Sequence, residues 1–274
     1  MSSPALTSAV RANLNSLQST ADLLGRTQER LATGLKVNSA LDNPNAFFAA
    51  KGLEGRANDL GFRLEKLGQD ISTIQAATQA TETIEGLLQT VKAKITEAAA
   101  LGTDTAGLAA RVVKQTEANA LIAQARAVAE DAGYGGVNLL NNEALTSVFN
   151  EAGDNTLATA GVDYTTAATS IVADFATGFN NVTNTDAATT AVNAALASVR
   201  TQAGAFSTNL TIISAREDFT KNIIGTLEQG AGKLTLADTN EESANLLALQ
   251  TRQQLGVTAL SLSAQADQSV LRLF

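Results

Sequence analysis

Few side chains in this 274-residue chain are equipped for chemistry. There is no Cys, no His and no Trp, which removes thiolate nucleophiles, imidazole bases, zinc sites of the usual ligand sets and disulfides. Asp154 and Asp163 could share a cation, but a solvated hairpin tip is the simpler account of both. Threonines 165, 166, 169 and 177 lie in a stretch dense in Thr, Ala, Asn and Gly and poor in large apolar residues. Nothing here forms a catalytic constellation, so neither an enzyme nor a cofactor is expected.

What the chain does carry is rows of small and aliphatic residues that must bury against something. Val10, Leu14, Leu17, Ala21, Leu24, Gln28, Leu31 and Leu35 recur in steps of four and three, as do Leu255, Ala259, Leu262, Ala266, Val270 and Leu273 at the other end. On a helix that spacing draws one narrow seam, the pattern of a coiled-coil strand. A single helix cannot cover its own seam. The two termini are therefore expected to be helices, either paired with each other or exposed for other copies of the chain. Gln28, the polar member of the first row, is a candidate for fixing register.

Composition points the same way. Hydrophobic residues make up 45% of the chain but aromatics only 4%, which suits close helix packing better than a thick core. The net charge of −8 disfavours nucleic acid and anionic membranes, because phosphate binding needs clustered Lys and Arg. No apolar run approaches the roughly 18 residues that would mark a span. Met1-Ser2-Ser3-Pro4-Ala5 lacks a basic stretch followed by an apolar one, so no cleavable secretory signal is expected.

Between the ends, the first helix should stop near Val37 and a loop around Pro44 should follow. A second helix is predicted from about Ala46 to Ala100 on the row Leu53, Ala57, Leu60, Leu64, Leu67, Ile71, Ile74 and onward to Ala98. A third should run from a Thr or Asp cap near residue 104 to Asp131, with Leu108, Val112, Leu121, Ala125 and Val128 inward. A β-hairpin is predicted over 147–159 about the Glu151–Asn155 turn. The row from Val192 to Leu234, interrupted only at Glu217 and Thr220, predicts a long helix over about 187–236. Thr239 and Glu242 have capping-box spacing for the last one. The fold expected is mainly α: an elongated antiparallel helical bundle or coiled coil formed by both chain ends, with a small β-hairpin element in the middle.

Asn13-Leu14-Asn15-Ser16-Leu17 and the run Gln28 to Asp42, with Gly136-Val137-Asn138-Leu139-Leu140 and Gln265 to Phe274, resemble the terminal signatures of bacterial flagellin. The resemblance covers roughly 5–145 and 190–274. It implies a structural, self-assembling subunit of the flagellar filament used for motility, exported unfolded by the flagellar type III route and secreted to the extracellular flagellum. It divides the chain into a terminal coiled-coil domain forming an inner tube (1–42 and 238–274), a long-helix domain forming an outer shell (43–145 and 186–237), and a hairpin with a short exposed region (146–185). The polymerisation seam it implies is Val10, Leu14, Leu17, Leu24, Leu31, Leu35, Leu255, Leu262, Val270 and Leu273. Thr165, Thr166, Thr169 and Thr177 become candidates for O-glycosylation. The implied partners are copies of itself, other flagellins, filament cap and hook-junction proteins, an export chaperone and the export apparatus, with no nucleic acid and no membrane. A minor hook–filament junction protein, which shares these terminal patterns, is the alternative. A metalloprotease insert would need a His-Glu-x-x-His helix, which a chain without His cannot supply. In Leu88 to Ile95, a stretch that innate receptors of animals recognise in many flagellins, Thr90 and Lys94 depart from the pattern.

Overall fold

The fold comes from a computed structural model that describes residues 8–166, 171–172, 174–175 and 178–271. The element order is α1 (Ser8–Thr33), α2 (Pro44–Ala100), α3 (Thr105–Asp131), β1 (Leu145–Val148), β2 (Thr156–Thr159), α4 (Val182–Thr235) and α5 (Thr239–Leu271). The chain is mainly α, as the seams imply. At 57 residues, α2 extends for about 85 Å at the standard helical rise.

Local chemistry sets the helix ends, and three differ from expectation. α1 stops at Thr33 rather than near Val37, because Gly34 adopts φ +72° and its N–H closes on the Arg30 carbonyl at 2.8 Å. Pro44 opens α2 instead of lying in a loop. Asn43 Oδ1 accepts the Ala46 N–H at 3.1 Å, and proline loses nothing in a first turn whose N–H has no helical partner. α5 is capped by Asp238, whose Oδ1 accepts the N–H groups of Asn240 and Glu241 at 2.9 and 3.3 Å, not by a box between Thr239 and Glu242. The expected Asp cap of α3 is Asp104, which accepts the Gly107 N–H at 3.0 Å.

The chain divides into two units, Met1–Gly55 with Thr226–Phe274, and Arg56–Gly225. The core of the second is a single cluster. α2 contributes Leu67, Ile74, Ala77, Ile84, Leu88, Val91, Ile95 and Ala98, and α4 contributes Val192, Leu196, Val199, Phe206 and Ile213. These follow the predicted rows. On α3 the inward row is Arg111, Ala118, Ile122, Ala125 and Ala129, whereas Val112 is exposed. The hairpin pairs Leu145 with Thr159 and Val148 with Thr156, and Leu145 and Phe149 join the core.

Arg111 explains the shift of the α3 row. Its guanidinium is buried and donates to the carbonyls of Leu101 (2.6 and 3.2 Å), Gly102 (3.2 Å), Ala99 (3.4 Å) and Phe179 (3.2 Å). The last carbonyls of a helix have no intrahelical donor and carry its negative dipole end, so a cation there satisfies both demands. Further along the same helix, Gln115 donates to the Phe175 carbonyl, Asn119 accepts the Phe175 N–H at 3.0 Å and Arg126 reaches the Val172 carbonyl at 2.6 Å. The backbone at Val172, Phe175 and Phe179 is thus held by side chains of α3.

At the surface, Lys94 and Lys114 alternate with Glu97 and Glu117 across α2 and α3, with four contacts of 3.1–3.3 Å. Hydrogen bonds from Lys114 and then Lys94 hold both glutamates below their ordinary value of 4.5. Their stabilising effect is present above that value and is lost as pH falls through the lowered ones. Lys94, unexpected in the flagellin pattern, has a structural role here.

Arg111→Leu should lower the stability of the full chain by about 1–3 kcal/mol, because buried carbonyls lose their donors. Thermal unfolding followed by circular dichroism measures it; an unchanged midpoint would contradict this account of Arg111.

Candidate assembly surface

The first unit brings the two ends of the chain together, with α1 and α5 packed along each other. Arg30 meets Glu242 at 2.9 Å, and Leu17 meets Gly256 farther along, so the helices run antiparallel. The pairing of the terminal helices is as expected, but the register of the seam is not. The inward row of α1 is Val10, Leu17, Thr20, Leu24, Thr27 and Leu31. Val10, Leu17, Leu24 and Leu31 were on the predicted seam, while the intervening places are taken by buried threonines. Leu14, Ala21 and Gln28 face out, so Gln28 does not fix register.

α5 is displaced by one residue from its predicted row. The inward positions are Glu242, Leu246, Leu249, Gly256, Leu260 and Ser263. Leu255 and Leu262, both on the predicted row, are each 66% exposed, with Leu247 at 65%. A β-carbon added at Gly256 would stand 2.7 Å from Leu17 Cδ2 and 3.1 Å from its Cγ, so any side chain there would displace this leucine from its present position. Sequence reasoning missed Gly256. The signal available was a glycine flanked by leucines at four-three spacing, one position over from the row chosen. Val270 belongs to α5, but its side chain and all of Leu273, Thr169 and Thr177 fall outside the described residues.

Why threonine is tolerated inside follows from its hydroxyl. Thr20 is buried, yet its Oγ1 donates to the Ser16 carbonyl at 2.7 Å, so no polar group is stranded. Leu35, also on the predicted seam, lies past the end of α1. It pairs with Leu236 in an isolated antiparallel bridge, where the N–H groups of Lys36 and Val37 reach the Thr235 carbonyl at 2.8 and 3.3 Å. Ala237 N–H returns to the Gly34 carbonyl at 2.9 Å. Asp42 tightens the same loop by accepting the N–H groups of Ser39 and Asn38 and the Ser39 hydroxyl, which lowers its pKa.

Among the polar residues on the outer face of the pair, several large apolar side chains are left uncovered. Leu14 and Leu23 on α1 and Leu247, Leu255, Val257 and Leu262 on α5 are all exposed. Exposed apolar rows of this kind mark surfaces that other proteins cover. In the second unit, the carboxylates once considered for a cation are otherwise engaged. Asp154 accepts from Asn150, and Asp163 accepts the hydroxyls of Thr165 (2.8 Å) and Thr166 (3.0 Å). No cluster of metal-ligating side chains is found among the described residues. No described helix is long and apolar enough to cross a membrane.

Gly256→Val should weaken the α1–α5 pair by about 1–3 kcal/mol through overpacking against Leu17. Gly204→Ala, where nothing lies within 4 Å of the added carbon, should stabilise α4 by up to about 1 kcal/mol. Amide exchange across α1 in the first variant and thermal unfolding of the second report these effects; faster exchange in neither α1 nor α5 would refute the notch.

Residues 6–144 match the bacterial flagellin N-terminal helical region, and residues 182–274 match the bacterial flagellin C-terminal helical region. The chain is 30% identical over 272 residues to a flagellin of Brucella melitensis biotype 1, with 95% of each covered. It is 33% identical over 269 residues to flagellin FljK of Caulobacter vibrioides, with 95% of this chain and 94% of the relative covered. These matches do not favour the hook–filament junction alternative. Two terminal helical regions in the family's order, together with relatives aligned over nearly their whole length, place this chain in the bacterial flagellin family, the structural subunits of the flagellar filament.

Proposed function

We infer that this chain polymerises with copies of itself through the terminal helices. The observation that carries the reading is the exposed row Leu247, Leu255 and Leu262 on α5, which the same chain's α1 leaves uncovered. Each such leucine contributes roughly 1.5–3 kcal/mol when fully buried. A contact between unlike faces of identical subunits builds an open helical filament when its rotation does not close into a ring. In this reading Val10, Leu17, Leu24 and Leu31 hold α1 on α5, Leu35 anchors the following loop, and Leu14, Leu255 and Leu262 meet neighbouring subunits. Val270 and Leu273 extend the row by their spacing.

The same reading assigns 1–42 with 238–274 to the inner tube, 43–145 with 186–237 to the surrounding shell, and 146–185 to the solvent-facing part. The role is structural and not catalytic, and the place of work is the extracellular filament. Other flagellins, the filament cap, hook-junction proteins, an export chaperone and the export apparatus are the partners such a life requires. A chain without cysteine suits passage in an unfolded state. Thr166 is exposed and Thr165 half-buried in the described part of the candidate glycosylation stretch, which also includes Thr169 and Thr177. Intact mass of the native protein should exceed the sequence mass by whole sugar units; a mass equal to the sequence would remove that assignment.

Leu255→Lys combined with Leu262→Lys should abolish filaments seen by electron microscopy of the concentrated protein. The monomer's helical circular dichroism should stay unchanged, since both residues are already exposed. Filaments of normal length from the double variant would sink the reading.

A further inference from the structure

Asp70 of α2 is 1% exposed, and neither of its oxygens makes a hydrogen bond. The Ser147 hydroxyl of β1 is completely buried and equally without a hydrogen bond, and it is the neutral group that acts on this carboxyl. The one nearby charge on α2 is Lys66, whose ammonium stands 3.7 Å from Oδ1 and whose side chain is largely in solvent. Neither β1 nor β2 contains an ionisable residue. The turn between them carries Glu151, paired with Arg56 of α2 at 3.1 Å, and Asp154, bound to Asn150. From α4, Arg216 lies 5.3 Å over the ring of Phe149, and Asn209 donates to the Thr159 hydroxyl at 3.1 Å.

We propose that Asp70 and Ser147 form a proton-operated latch that fastens the hairpin to α2. With the carboxyl protonated, its O–H donates to Ser147 Oγ and two stranded groups satisfy each other. When the proton leaves to bulk water, the carboxylate needs several donors, and one hydroxyl with a largely solvated ammonium at 3.7 Å does not supply them. The hairpin then opens more often, letting water reach Asp70. Burial, the largest influence on this group, raises its pKa above the ordinary 3.8, against the opposing pull of Ser147 and Lys66. A raised acid pKa in the docked state means that docking is strongest in acid and weakens as pH climbs through the raised value.

The Arg56–Glu151 pair works in the opposite sense. Glu151 is held below its ordinary 4.5 by its own backbone N–H and then by Arg56, so its contribution fades only at pH values beneath that.

The test is amide exchange of residues 145–159 in the purified full-length chain, referenced to α3 in the same molecule, from about pH 4, just above the ordinary carboxyl value, to about pH 8; one linked proton changes an opening constant by up to tenfold per pH unit. In the native chain the hairpin's opening should rise with pH by several-fold or more. Asp70→Asn, neutral at every pH, should be flat and as protected as the native chain in acid. A native hairpin whose relative exchange ignores pH, or an Asp70→Asn chain that keeps the native dependence, overturns the proposal. Carbon NMR titration of the native Asp70 carboxyl needs no variant. A midpoint above 3.8 is expected, and one at or below it overturns the proposal.

Discussion

Leu17 sits where it does because residue 256 has no side chain, and the arrangement of the first unit follows from that close approach. With this leucine seated, α1 and α5 are fixed in register and direction. Arg30 then falls opposite Glu242, and the loops after α1 and α4 lie close enough to exchange backbone hydrogen bonds between Lys36, Val37 and Thr235. The same register decides which leucines are hidden. Had α5 presented Leu255 and Leu262 to α1, the pair would have covered its own apolar surface. The glycine rotates them outward.

The second unit solves a different problem, the unpaired groups at the ends of long helices. Arg111 collects the terminal carbonyls of α2, and Asn138 does the same for α3 by donating to the Ala129 and Glu130 carbonyls at 2.9 Å each. Buried threonines repeat the economy within helices, with Thr81 and Thr220 donating back to Thr78 and Arg216 at 2.7 and 2.8 Å. The inner seams thus carry many hydroxyls in place of methyl groups and bury less apolar surface than an all-leucine seam would. Such helices hold together with little surplus.

Much of this was legible in the sequence because long seams are redundant. The rows of α2 and α4 repeat so often that one misplaced residue cannot shift them, and Leu67 through Ala98 and Val192 through Ile213 face inward as read. The terminal helices were legible as helices and as a pair, but not in register. A four-three count over leucine and alanine treats Thr20 and Gly256 as interruptions, when a back-bonding hydroxyl and a missing side chain are what suit those two places. Arg111 was overlooked for a related reason. A periodic count of apolar residues passes over a cation, and only the three-dimensional end of α2 reveals its partners. Asp70 escaped likewise, since its burial depends on a hairpin far along the chain.

The contact between Arg30 and Glu242 spans 212 residues of sequence. Closing so long a stretch costs more chain entropy than forming the hairpin, whose strands are near neighbours. However the chain is delivered, α1 waits for the final helix before it can find its partner within the same molecule. Until then its apolar row is open, one half of an interface whose other half lies at the far end of the same chain.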